Sequence, residues 1–169
     1  MIVIATSVGR ELWWRDCLAS MPDDIPVLLV SQYDYELGKI EWVLKHTDID
    51  RFWLLQDSVI VHNADFLHEG LQREDAVSLC QHPDLFGMFM GVYDRDILNR
   101  VGIPRVRSKE HSIELERTWT QDYVRACQHV HVMFPDFKDM NATGTVERYE
   151  RTNLVLSNEH LTKFKGTWA

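Results

Sequence analysis

Only three cysteines occur in the 169 residues, Cys17, Cys80 and Cys127, and no C-x-x-C pair is among them. That spacing indicates neither a zinc ribbon nor a disulfide framework, and it points to a reducing compartment, the cytoplasm. Glycine-rich phosphate loops are missing too. With no GxxxxGKS/T and no GxGxxG, the usual glycine-turn routes to a kinase or a dehydrogenase are disfavoured. GxSxG and HExxH are also absent, so hydrolase-elbow and metalloprotease chemistry have no support. No apolar run is long enough to be a membrane segment, and the opening MIVIATS is too short, and lacks the basic start, for a secretory leader. It reads as a first strand starting from Met1. Repeats and low-complexity linkers are lacking. Positive charge is in deficit: 18 Lys+Arg stand against 26 Asp+Glu, a formal net charge of -8. Such a balance argues against nonspecific attraction to nucleic-acid backbones or anionic lipid.

What is present describes one globular domain. The chain is 45% hydrophobic and 26% charged, with six Trp, and it is long enough to bury roughly two-thirds of its unfolded surface. Ile2 to Ala5 predicts a buried strand, and Leu12, Trp13, Cys17 and Leu18 predict a helix from Glu11 that Met21-Pro22 stops. VLLVS at Val27 to Ser31 is a second strand. Leu37, Ile40, Val43 and Leu44 trace one face of a second helix ending near His46. This alternation with continuous apolar strands predicts an α/β fold: a Rossmann-like, mixed, mainly parallel sheet flanked by helices, with right-handed crossovers. Downstream, Phe66 to Leu71 is a short helix, and Leu85 to Val92 is a strand or strand pair. Arg95 to Val101 is a helix ended by Gly102, and His111 to Gln128 a longer one with Leu115, Trp119, Tyr123 and Ala126 on a stripe. Val130 to Phe134 alternates as a strand, and a final helix is expected around Arg151 to Leu161. Asn141-Ala-Thr matches a glycosylation acceptor but lacks a secretory route.

The stretch FWLLQDSVIV, Phe52 to Val61, carries one carboxylate, Asp57, in an otherwise apolar run. Read as a buried third strand, it delivers an acid to the carboxyl end of the sheet, where open α/β sheets bind ligands. Asp57 there either holds a metal or a substrate, or bonds its own backbone and caps the following turn. His129 and His131 share a strand face and are either a metal pair or a solvated surface. Arg100 to Lys109 gathers the clearest positive charge, a solvated loop or a basic patch.

VIATSVGRELWWRDCLASMP resembles the first strand, nucleotide-contacting loop and first helix of glycosyltransferases with the GT-A fold. FWLLQDSVIV resembles the strand that ends in that family's DxD motif, with Ser58-Val59 where a second Asp would stand. The resemblance implies a nucleotide-binding half over about 1–62 and an acceptor half over about 63–169. It implies Mn²⁺ or Mg²⁺ held by Asp57 and His160 against the diphosphate of a nucleotide-sugar donor such as a UDP-sugar. Thr6, Arg10, Asp34, Asp57, Ser58, Lys165 and Trp168 become the donor-binding residues, Lys165 and Trp168 from the closing HLTKFKGTW. A hard cation suits the charge that gathers on a diphosphate leaving group. Glu114 and Glu116 are the carboxylates placed to deprotonate an acceptor hydroxyl, or are solvated helix residues, and Arg107 and Arg117 could face phosphate. The acceptor is open: a saccharide, a protein, a small molecule or a modified nucleic-acid base. Two rivals remain, a sugar nucleotidyltransferase and a transferase-like binding module that lost its second acid.

Overall fold

The computed structural model describes residues 1–7, 9–31, 35–82, 85–86, 90–135 and 154–164. Its first half runs β1 (Ile2–Ala5), α1 (Glu11–Ala19), β2 (Val27–Val30), α2 (Tyr35–His46), β3 (Arg51–Gln56) and β4 (Val59–Val61). Then come α3 (Asp65–Gln72), β5 (Ala76–Ser78), β6 (Gln81–His82), β7 (Leu85–Phe86), β8 (Gly91–Asp94) and α4 (Arg95–Val101). The chain continues with α5 (Lys109–Ala126), β9 (Val130–Val132), β10 (Leu154–Ser157) and β11 (Leu161–Phe164). Six strands form the main sheet in the order β2-β1-β3-β8-β5-β9. β1 pairs in parallel with β2 and β3, and β5 with β9, whereas β8 pairs antiparallel with both β3 and β5. The expected mixed, mainly parallel α/β sheet is therefore present, with β8 the reversed strand.

Alternation along the strands explains why β1 and the centre of β3, Phe52 to Leu55, are apolar throughout: both faces of the sheet are covered. Ile2, Ile4, Trp53, Leu55, Val77 and Val92 face one core, closed by Cys17 and Met21 around α1, Phe66 and Leu67 of α3, and Val59, Val61 and Leu161. Val3, Ala5, Phe52, Leu54, Ala76 and Tyr93 face the other, closed by Leu37, Ile40 and Val43 of α2, Leu98 of α4, and Trp119, Tyr123 and Val124 of α5. The helix starts are capped where the side chains permit. Asp94 Oδ1 accepts from the amides of Asp96 and Ile97 at α4, and Ser108 Oγ accepts from His111 N at α5. Arg95 donates to the carbonyls of Leu44, Thr47 and Ile49, where α2 hands over to β3, so its charge lies at a helix C-terminus.

Two expectations are corrected. The run from Phe52 to Val61 is not one strand: β3 stops at Gln56, Asp57 and Ser58 turn, and β4 leaves to pair antiparallel with β11 in a three-stranded sheet, β10-β11-β4. In place of a helix around Arg151 to Leu161, the described residues form β10, a turn and β11. Asn158 decides this. Its side chain accepts from the amides of His160 and Leu161, and its own amide donates to the Leu161 carbonyl, closing a hairpin turn that a helix would forfeit.

Trp53 is fully buried, donates Nε1–H to the Leu67 carbonyl at 2.9 Å, and lies against Gly70 of α3. A Cβ added at Gly70 would fall 2.8 Å from Cε2 of that indole. Gly70→Ala gains about 1 kcal/mol of helix propensity but meets a ring with no space to retreat. A net loss of roughly 1–2 kcal/mol is expected, within the usual cost of overpacking, and urea unfolding at unchanged m-value measures it. A midpoint equal to or above wild type would show that the ring yields.

Candidate functional site

The site begins with a register. Ala5 of β1 lies opposite Gln56 of β3, and the Asp57 amide donates to the Ala5 carbonyl at 3.1 Å. The next residues, Thr6 and Asp57, therefore emerge side by side at the carboxyl edge of the sheet. Thr6 continues the face of Ile2 and Ile4, and Asp57 that of Trp53 and Leu55, so both point to the α1 side. Thr6 Oγ1 donates to Asp57 Oδ2 at 2.8 Å. Arg10 meets Oδ1 at 2.8 Å, the side chains of Arg10 and Asp57 being 14% and 5% exposed. The loop from Thr6 to Arg10 can return this way because Gly9 adopts φ +85, a conformation costly for other residues. The Arg10 guanidinium also lies over the Trp13 ring, 5.3 Å from its centroid.

Buried Lys163 joins the cluster, and buried Lys39 lies on α2, which packs on the other face of the sheet; the sequence reading missed both. Lys163 stands opposite Val59 in the β4–β11 ladder, shares the inward face of Leu161, and donates from Nζ to Ser58 Oγ at 2.9 Å. Lys39 of α2 donates to the Tyr35 carbonyl at 3.1 Å. The signal for Lys163 was an inward-phase lysine in an otherwise apolar strand; for Lys39 it was a lysine on the apolar stripe of Leu37, Ile40 and Val43. Such residues are almost never buried without a partner or a task. On the other side of the strand, Gln56 Nε2 donates to Glu36 Oε1 at 2.9 Å.

Burial is the largest influence on the Asp57 carboxyl and raises it above the usual range, opposed first by Arg10, then by the Thr6 hydroxyl, then by Lys163 and Lys39. Burial, with Asp57 nearby, also pushes the Cys17 thiol up to about 12. Cys17 is thus a neutral packing residue and not a nucleophile.

Thr6, Arg10, Asp57 and Ser58 are brought together as expected. Glu114 and Glu116 are not: α5 covers the opposite face of the sheet, where Glu114 is exposed and Glu116 is half-buried near Tyr93. His160 lies beyond the far end of the β4–β11 ladder, its carbonyl accepting from His62 and Asn63, its ring stacked on Phe134 at 5.4 Å and edge-on to Phe66. It is not beside Asp57, because the antiparallel register brings Lys163, and not His160, to Ser58. Asp34, Lys165, Trp168 and Asn141 lie outside the described residues. Arg107 and Arg117 are exposed, and His131 lies 3.6 Å from Glu69.

The donor set does not suit the expected Mn²⁺ or Mg²⁺. Both Asp57 oxygens are engaged by Thr6 and Arg10, and the neighbouring Ser58 oxygen faces an ammonium group. Among the described residues no three His, Cys, Asp or Glu side chains gather as a metal-binding group. A surface depression of about 420 Å³ between α1 and the small sheet is lined by Asp16, Ala19, Ser20, Ile60 and Phe164, none of them a member of the cluster.

The raised carboxyl sets a direction for pH. A folded chain that holds this proton more tightly than the unfolded chain has the full contribution below the unfolded value near 3.8, and loses it as pH rises through the folded value. Asp57→Asn is expected to flatten that part of the melting-temperature profile and to melt no lower than wild type at pH 7. A fall of several degrees at pH 7 would show that the Arg10 pairing outweighs burial.

Among solved structures, "Crystal Structure of A197 from STIV" matches with a TM-score of 0.47 and 15% sequence identity, covering 70% of this chain and 76% of that one. No protein-family model matches the chain, and no curated protein matches it.

Proposed function

We propose that this chain is a glycosyltransferase of GT-A-like fold that takes its sugar from a nucleotide-diphosphate donor, a UDP-sugar in the first instance. The observation that carries the reading is the convergence of Thr6, Arg10, Asp57 and Ser58 at the carboxyl edge of β1 and β3, the position where open α/β sheets bind ligands. The electrostatics agree with it. A chain of formal net charge -8 brings Arg10 and Lys163 to the turn at Asp57-Ser58, an environment suited to a diphosphate.

In the reaction, the bond from the sugar's anomeric carbon to the β-phosphate oxygen breaks, and a bond from that carbon to the acceptor oxygen forms. The acceptor hydroxyl's proton passes to the medium, and the nucleoside diphosphate leaves. Negative charge grows on the leaving diphosphate, and fixed cations aimed there lower the barrier without having to reorganise. Arg10 has the planar fork that grips phosphate, and Asp57 with Thr6 holds that fork in place. Asp57 is thus a positioning residue. Glu114 and Glu116, on the other face, carry no part of this scheme.

One competing reading has an observation of its own: a carboxylate with both oxygens internally engaged also fits a binding module that performs no transfer. Thermal protection by UDP, CTP and ATP, followed by donor turnover with a panel of UDP-sugars, tests the set. A rise in melting temperature with UDP, and slow release of UDP from one of the donors, is expected. Preference for CTP or ATP favours nucleotidyl transfer, protection without turnover favours the binding module, and no response to any nucleotide removes the reading.

A further inference from the structure

We propose that Arg10 and Lys163 neutralise a bound diphosphate directly, so that the site takes its ligand without a divalent cation. The identity of the ligand as a nucleotide-sugar rests on the reading above; the capacity to bind a diphosphate does not.

The first ground is the occupancy of the oxygens. A hard cation needs about six oxygen ligands, and the carboxylate nearest to hand offers one oxygen to Thr6 and the other to Arg10, each at 2.8 Å. At the adjacent position, Ser58 Oγ accepts from Lys163 Nζ at 2.9 Å. A divalent ion arriving between them would meet a guanidinium and an ammonium group.

The second ground is charge. Arg10 pairs with Asp57 at 2.8 Å, and Lys163 donates to the next residue, Ser58, at 2.9 Å, so two cations from separate segments meet at one turn. Lys163 is only 4% exposed, so water screens its charge weakly.

The third ground is order of access. With 14% of its side chain exposed, against 5% for Asp57, Arg10 is the member of the ion pair that an incoming anion meets first. Its guanidinium has donors on more than one edge, and can keep one toward Asp57 while others turn to phosphate. Gly9, with φ +85, directly precedes this arginine, and apart from its chain neighbours no described atom comes within 4 Å of where a Cβ would stand on that glycine.

Isothermal titration of the full chain with inorganic pyrophosphate and with UDP, first in EDTA and then in Mn²⁺, tests the proposal. Both ligands are expected to bind in EDTA, with Mn²⁺ changing the affinity by no more than about threefold. Lys163→Met, which keeps the stem and removes the charge, is expected to weaken both by about tenfold, and Lys163→Arg to restore most of the loss. Should Lys163→Met fail to fold, Arg10→Gln on the loop carries the same test. Binding seen only with Mn²⁺ overturns the inference and leaves the nucleotide-sugar reading standing. Pyrophosphate bound in EDTA with no gain for UDP upholds the cation cluster and removes that reading. No binding of either ligand, with or without Mn²⁺, overturns both.

Discussion

The arrangement depends on one buried carboxylate and on how it is held. Asp57 leaves β3 at the point where the sheet's hydrogen bonding is still in force, its amide donating to the Ala5 carbonyl. Its side chain has no freedom to reach water, and an ionised acid in that position demands partners. Thr6 and Arg10 come from the loop after β1, and Lys163 comes from a strand far along the chain, so two other segments are tied to the turn at Asp57-Ser58. The turn at Asp57-Ser58 also releases β4 from the main sheet and sends it to β11. That departure is what puts the lysine of β11 within reach of Ser58.

Such a cluster is an odd choice if stability were its purpose. Burial outweighs the favourable charges at Asp57, and buried ion pairs commonly contribute less than an apolar replacement of the same shape. Cohesion comes from elsewhere, from the two cores on either side of β1 and β3 and from side chains such as Trp53 and Tyr123 that fill them. Functional sites are commonly such costly polar assemblies, set at the carboxyl edge of a sheet whose cores supply the stability.

The elements of the first half were legible because their signals are local. Ile2 to Ala5 and Val27 to Val30 are β-branched runs, and Leu37, Ile40 and Val43 repeat at helical spacing, so the bounds of β1, β2, α1 and α2 fall close to expectation. The C-terminal hairpin was not legible, since the polar turn residues from Ser157 to His160 interrupt the apolar pattern, and the turn is closed by the Asn158 side chain. The reversal of β8 was hidden as well. Direction in a sheet depends on which neighbours a strand finds, and nothing within Gly91–Asp94 encodes that.

For the site, the sequence alone determined that an acid, a threonine and an arginine follow buried strands at the edge of an α/β sheet. Alternation and strand order suffice for that, because they dictate which end of a strand each residue leaves. Only the tertiary structure decided what the acid meets. Lys163 lies 105 residues from Ser58, and its amine arrives there through the antiparallel register of β4 and β11. The same register carries His160 to the opposite end, and the packing of α5 carries Glu114 and Glu116 to the opposite face. Long-range register and helix packing are set by the fit of whole surfaces, and no short stretch of sequence contains that information.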